Sequence, residues 1–264
     1  MSGIDLTRPS LSYVAIGDSF TEGVGDPYPD SGSTLHGHYR GWADRFAEHL
    51  AENVDRLHYA NLAVRGKLLR QVMADQLPRA AEMGADLVTF SAGGNDLLRP
   101  GADPDRLARI LEQGVRRLRS TGAEVVLFTG VNFGAGYMRA RIGMFARFYL
   151  NIRSVADRNG CYLVDQWPMT VLTDARAWDV DRLHMSPEGH RRLALRVCET
   201  LGVPAKGDWD EPWPPRPEPD RRSARREDLR WARQYLVPWI GRRLTGRSSG
   251  DRVTAKRPKL ERLR

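Results

Sequence analysis

The chain has 264 residues, 41 of them Lys or Arg and 33 Asp or Glu, for a formal charge of +8. The excess is local: residues 221–264 hold 15 basic and 4 acidic residues, a net of +11, whereas residues 1–220 hold 26 and 29, a net of −3. A basic tail bears on partners rather than fold, and 41% hydrophobic with 28% charged residues indicates a soluble globular chain rather than a disordered one.

The opening MSGIDLTRPS leaves no room for the charged and apolar regions of a secretory signal, and no apolar run reaches the ~18–20 residues of a membrane span. A cytoplasmic location is expected. LSYVAI, Leu11 to Ile16, reads as a first buried strand ending in Gly17-Asp18-Ser19. The stretch from Asp26 to Arg40, rich in Gly, Pro and Ser, is expected to border a substrate entrance. Trp42, Phe46 and Leu50 follow helical spacing; LHYANLA (Leu57–Ala63) is a second strand, followed by a turn at Gly66. Leu68, Val72 and Leu77 mark a helix, DLVTFSAG (Asp86–Gly93) a third strand, and Gly94-Asn95-Asp96 the turn at its end. A clean stripe of Leu107, Ile110, Leu111, Val115 and Leu118 follows Asp103-Pro104.

EVVLFTG (Glu124–Gly130) is the fourth strand. Met138, Ile142, Phe145, Tyr149, Ile152 and Val155 form the next helical stripe. Its aromatic start, Phe133 to Phe148 with Tyr137, Met138, Met144 and Phe145, reads equally as an acyl-binding wall or as a core stripe. CYLVDQ (Cys161–Gln166) is the fifth strand, and Ser186-Pro187 opens a last helix, Ser as N-cap and Pro at the first helical position. Strand–helix alternation predicts a parallel sheet covered by helices on both faces, with ligands beyond the carboxyl ends of the strands. The proline-rich run 204–220 reads as a stiff linker or a strap laid over the surface, and 221–244 as a basic amphipathic helix interrupted at Pro238. Residues 245–264 are polar and expected to be disordered. Cys161 and Cys198 are too few for a CxxC-type metal site and are expected as buried free thiols.

The polar residues at the strand ends suit nucleophilic catalysis. A serine on a strand-to-helix turn exposes its hydroxyl, but it is a weak nucleophile without an adjacent base. His184 has the ring chemistry to take and return a proton. Asp181, three residues earlier, can accept from the other ring nitrogen and fix the tautomer. The N–H of Ser19, the N–H of Gly66 and the Asn95 amide are candidate donors to a tetrahedral oxyanion. Asp18 and Asp96 are read as turn stabilisers and His190 as a structural residue. His36, His38, His49 and His58 show no partner pattern. No cofactor or metal is called for, since neither an HExxH nor a Cys/His cluster is present.

GDSFTEG at 17–23, the Gly66 turn after NLAV, GGND at 93–96 and DRLHMSPEGH at 181–190 resemble, in order and spacing, the four blocks of the SGNH hydrolases, also called the GDSL esterase/lipase family. The resemblance covers residue 11 to about residue 200. It implies a three-layer α/β/α sandwich with a five-stranded parallel sheet in residues 1–203. Ser19 is then the nucleophile, His184 the base, Asp181 its orienter, and Ser19, Gly66 and Asn95 the oxyanion hole. Phe20 stands where the family name has Leu. Members of the family hydrolyse esters of many kinds, and some transfer the acyl group to an acceptor other than water; both outcomes use the same acyl-enzyme.

The basic segment 221–244 leaves three readings open: an extra helix docked on the catalytic domain, an interfacial helix drawn to an anionic membrane surface, or a phosphate-binding element for nucleic acid. The first has most weight and the last least, because no nucleic-acid-binding motif accompanies the charge. A non-catalytic binding protein acting through this tail is the reading of a different class. The expected partner of the catalytic domain is a small-molecule ester.

Overall fold

The computed structural model describes residues 3–29, 38–133, 139–216, 220–238, 241 and 249–263. Five strands run parallel: β1 (Leu11–Gly17), β2 (Leu57–Asn61), β3 (Leu87–Ser91), β4 (Glu124–Phe128) and β5 (Tyr162–Val164). A sixth, β6 (Arg257–Leu263), adds antiparallel to β2, giving the order β5-β4-β3-β1-β2-β6. The sheet therefore has six strands rather than five, and the extra one comes from the stretch expected to be disordered. Its sequence, RPKLERL, hides it. A proline and three charges, Pro258, Lys259, Glu261 and Arg262, fill the exposed positions, as suits an edge that must not recruit another chain. Only Arg257, Leu260 and Leu263 are partly buried, so the period of two that announces a strand is missing.

Alternation along the strands sorts their side chains into two cores. Val14, Ile16, Val88, Phe90, Val125 and Leu127 point to one face, with Phe145, Phe148 and Ile152 packed over them. Tyr13, Ala15, Tyr59, Val126, Phe128 and Val164 point to the other, with Trp42, Phe46, Leu193 and Val197. The first face is covered by α3 (residues 69–82), α5 (Pro104–Arg119) and α6 (Ile142–Arg158), and the second by α2 (Gly41–Asn53) and α7 (Pro187–Leu201). Two short helices, α1 (Ser19–Glu22) and α4 (Gly94–Leu97), follow β1 and β3 directly. The result is a three-layer α/β/α sandwich. As the sequence suggests, Ser186 caps α7, accepting from the Gly189 N–H.

α3 contains a π turn, Val72–Gln76, just before Pro78. The C-terminal helix repeats this device: α8 (Arg221–Trp231) continues as a π turn, Ala232–Leu236, just before Pro238. In each case the N–H after the turn reaches back five residues, Leu77 to Val72 and Val237 to Ala232. A proline ring collides with the carbonyl four residues earlier, and the widened turn makes room for it. So the interruption expected at Pro238 falls upstream of it, and the backbone is helical through 237–238. Trp239, Ile240, Arg242, Arg243 and Leu244 lie outside the described residues, as do His36, Tyr137 and Met138.

The segment before α8 lies against α7 and its neighbours. Arg192 donates to the carbonyls of Trp209 and Glu211, the Trp213 indole donates to the Val171 carbonyl, and Arg176 donates to that of Pro214. Downstream, Lys256 is buried and donates to the carbonyls of Glu22, Tyr39 and Arg40 while pairing with Asp44 at 2.8 Å. Cys161 and Cys198 are buried free thiols. Among the described residues no helix is long and apolar enough to cross a membrane.

Candidate active site

Ser19, Asn95, Asp181 and His184 come together in one cleft of about 930 Å³ at the carboxyl ends of the strands. They arrive on three separate turns, Asp181 and His184 sharing one. Ser19 opens α1 directly after β1; Asp18 is the N-cap, its carboxylate accepting from the Phe20 N–H at 3.1 Å. Asn95 sits in α4 directly after β3. The turn between them requires Gly93, with φ +109° and a hypothetical Cβ only 2.7 Å from Phe148 Cζ.

Asp181 and His184 form a locked pair. His184 Nδ1 and Asp181 Oδ2 are 2.6 Å apart, while Asp181 Oδ1 accepts the N–H groups of Leu183 and His184 at 2.9 Å each. Burial pushes the Asp181 carboxyl up, but the His184 ring and the two N–H donors outweigh it and hold the group below its ordinary value. An ionised Asp181 can only accept, so the contact at Nδ1 favours the tautomer that carries its proton there. No hydrogen bond joins His184 to the Ser19 hydroxyl among the described residues; both line the cleft. Unclosed contacts of this kind are common before substrate arrives.

Two backbone donors are open at the same place. The N–H groups of Ser19 and Gly66 find no acceptor among the described residues. Gly66 has φ +74°, a left-handed conformation glycine adopts freely. Its turn is held from two sides. Glu22, buried in α1, accepts from the Arg65 N–H at 2.6 Å and pairs with the Arg65 guanidinium. From the other side, Asn95 Nδ2 donates to the Lys67 carbonyl at 3.2 Å, and Asp96 accepts from the Leu69 N–H at 2.9 Å. Asp96 thus stabilises a turn across the cleft as well as its own.

Asn95 Nδ2 also donates to Asp18 Oδ2 at 3.1 Å. Burial drives the Asp18 carboxyl up to about 6, against the lowering effects of the Phe20 N–H, the nearby His184 and the Asn95 amide; Asp96 adds to the rise. Asp18 does more than cap a turn: it holds the amide that faces the cleft. His190 is structural. Its Nδ1 accepts from the Trp42 N–H, Nε2 faces the Val24 carbonyl, and burial lowers its pKa to about 4.

The cleft wall is aromatic: Phe20, Phe128, Phe133, Phe145, Phe148, Tyr149 and Trp178 line it, joined by Trp231, Tyr235 and Leu236 from the C-terminal helix. Phe145 and Phe148 line the cleft and belong to the core as well. Glu22 and the tail residues were not evident from sequence. Glu22 acts on a residue 43 positions away and Trp231 on one 50 positions away, and no local pattern reports such pairs. Among the described residues no group of three or more His, Cys, Asp or Glu side chains converges as a metal site.

The layered parallel fold and a carboxyl-edge cleft holding a serine, an Asp–His pair and an amide are those of a hydrolase class that works on esters. Residues 15–192 match the model of the GDSL-like Lipase/Acylhydrolase family, and the chain belongs to that family. It is similar to the solved structure of TesA, at 26% identity and a TM-score of 0.59, over 72% of this chain and 97% of that one. It also shares its fold with Axe2, an acetylxylan esterase from Geobacillus stearothermophilus, at 20% identity and a TM-score of 0.61, over 75% and 95% of the two chains. An uncharacterized Bacillus subtilis (strain 168) protein, YpmR, is 32% identical over 98 residues; the match spans 35% of this chain and only 34% of that relative.

Proposed function

We propose that the protein is a serine ester hydrolase working through an acyl-enzyme on Ser19. The observation that carries this reading is the Asp181–His184 pair, closed at 2.6 Å and lining the same cleft as the serine. In the first step His184 Nε2 takes the Ser19 hydroxyl proton as Oγ attacks the ester carbonyl. Asp181 stabilises the imidazolium that forms. The tetrahedral oxyanion is met by the N–H groups of Ser19 and Gly66 and by Asn95, which turns from the Lys67 carbonyl to do so. Collapse expels the alkoxide, which takes the proton from His184 and leaves as the alcohol. Water then repeats the sequence on the acyl-enzyme and releases the acid.

The substrate we favour is a small-molecule ester with an apolar acyl chain. A cleft of about 930 Å³ is at the large end of small-molecule sites and exceeds what an acetyl group fills. Its aromatic wall suits hydrocarbon. A fluorophosphonate should label Ser19, and a series of aryl esters from acetate upward should give kcat/KM rising with chain length. The reading fails if the unaltered chain is not labelled and Ser19→Ala and His184→Ala leave any esterase rate unchanged.

A further inference from the structure

Helix α8 touches the rest of the molecule in an unusual way. Along 221–238, the side chains described as half-buried are Trp231, Ala232, Tyr235 and Leu236; the other described side chains, including Leu229 at 65%, are exposed. None of the four belongs to either core, and Trp231, Tyr235 and Leu236 line the cleft that holds Ser19. A helix docked only for packing would bury its apolar residues on the core. This one places them on the site.

Its polar contacts fall on the loop that carries the base. The Trp231 indole N–H donates to the Asp181 carbonyl at 3.0 Å. One residue on, Arg182 pairs with Asp228 at 2.6 Å, and its guanidinium lies 5.1 Å from the centre of the Trp231 ring. Arg182 is the one non-glycine residue with positive φ among the described residues, at 55°. Such a backbone is sparsely populated and persists where the surroundings hold it. The loop's other hydrogen bonds are local: Asp179 N–H to the His184 carbonyl, Arg182 N–H to that of Asp179, and Ser186 N–H to that of Ala177. Met185 anchors the end of the loop in the second core and against Gly25, so the part left for α8 to hold is the stretch at Asp181 and Arg182.

We infer that Trp231 is a positioning residue for the Asp181–His184 loop, and that Trp231, Tyr235 and Leu236 form the outer wall against which the acyl chain packs. The inference rests on the reading of Ser19, Asp181 and His184 as the catalytic set. The C-terminal helix is then a part of the active site supplied from outside the family-matched residues 15–192. Trp231 acts twice: its N–H holds the loop and its ring faces substrate.

The two roles separate by substitution in the full chain. Trp231→Phe keeps a ring and loses the N–H; Trp231→Ala loses both. With Trp231→Phe, the second-order rate of fluorophosphonate labelling and kcat for an aryl acetate fall together, about two- to tenfold, the range of one hydrogen bond, with KM within twofold. Trp231→Ala shows the same fall and in addition a raised KM for an aryl octanoate but not for the acetate. Leu229→Ala, on the exposed side of the helix, leaves both rates unchanged. Thermal melts by circular dichroism accompany each variant. Labelling and turnover at the unaltered rates in both Trp231 variants overturn the inference, as does a loss that matches the unfolded fraction at the assay temperature. Labelling that persists in Ser19→Ala overturns the catalytic reading and this inference with it.

Discussion

Asp18 is the group whose environment differs most usefully from water. It is 7% exposed, and its pKa rises from 3.8 to about 6, chiefly through burial. A carboxyl whose folded pKa is raised favours folding in its neutral form. That contribution is complete below the unfolded pKa and is lost as pH climbs through the folded one. The full loss, a little over two pKa units, is about 3 kcal/mol. At pH 5 the unfolded chain has already ionised, so part of the loss is spent; between pH 5 and pH 8 about 1 kcal/mol remains. Asp18→Asn removes the titration and keeps an oxygen for the Phe20 N–H. It also confronts Asn95 with a competing donor, a penalty independent of pH that cancels when two pH values are compared. Urea unfolding of both proteins at pH 5 and pH 8 should show the variant gaining about 1 kcal/mol relative to the unaltered protein on going to pH 8. A difference that stays constant across this window would refute the account of Asp18 as a desolvated carboxyl.

Three further outcomes are expected. On the proposed mechanism, in which its amide meets the oxyanion, Asn95→Ala should lower kcat by about 100- to 1000-fold with a small change in KM; steady-state kinetics on a short aryl ester decide it. Gly93→Ala places a methyl 2.7 Å from Phe148 Cζ at a φ of +109°, and should destabilise by roughly 2–4 kcal/mol in denaturant titration. Lys256→Met removes the ammonium that donates to three carbonyls and leaves Asp44 without its close cation. The expected cost is about 3–5 kcal/mol, seen as a fall in Tm, even though only eight residues of the sequence follow Lys256.

What could be read from the sequence was what is local. Each of the five parallel strands is a short apolar run, and its two faces follow from alternation alone. The Asp181–His184 pair closes over three residues, so its spacing predicts its geometry. Ser19 and Asn95 follow strands directly, and parallel strands bring such ends to one edge. The contacts that tune the site join distant segments: Glu22 to Arg65, Asp96 to Leu69, Asn95 to Asp18 and Trp231 to Asp181. Their side chains are polar or lone aromatics in polar runs, and nothing periodic marks them. Strand β6 escaped notice for a related reason. An edge strand with one partner exposes most of its residues, and RPKLERL has the composition of solvent-facing chain.

The basic tail that dominates the net charge is consequently woven into the enzyme. Residues 204–216 lie against α7, α8 rests on the Asp181–His184 loop, Lys256 is buried beneath the start of α2, and β6 completes the sheet. Its arginines divide accordingly. Arg222, Arg225, Arg226, Arg230 and Arg233 are exposed, whereas Arg257 is half-buried beside Asp44 and Tyr59. Cutting the chain after residue 203 would remove the charge, an edge strand and a wall of the cleft together. A lost interaction with an anionic surface would then be inseparable from a lost fold. Charge reversal at the exposed positions Arg225, Arg226 and Arg233 isolates the electrostatic contribution, because those side chains make none of the contacts that hold α8 to the Asp181–His184 loop.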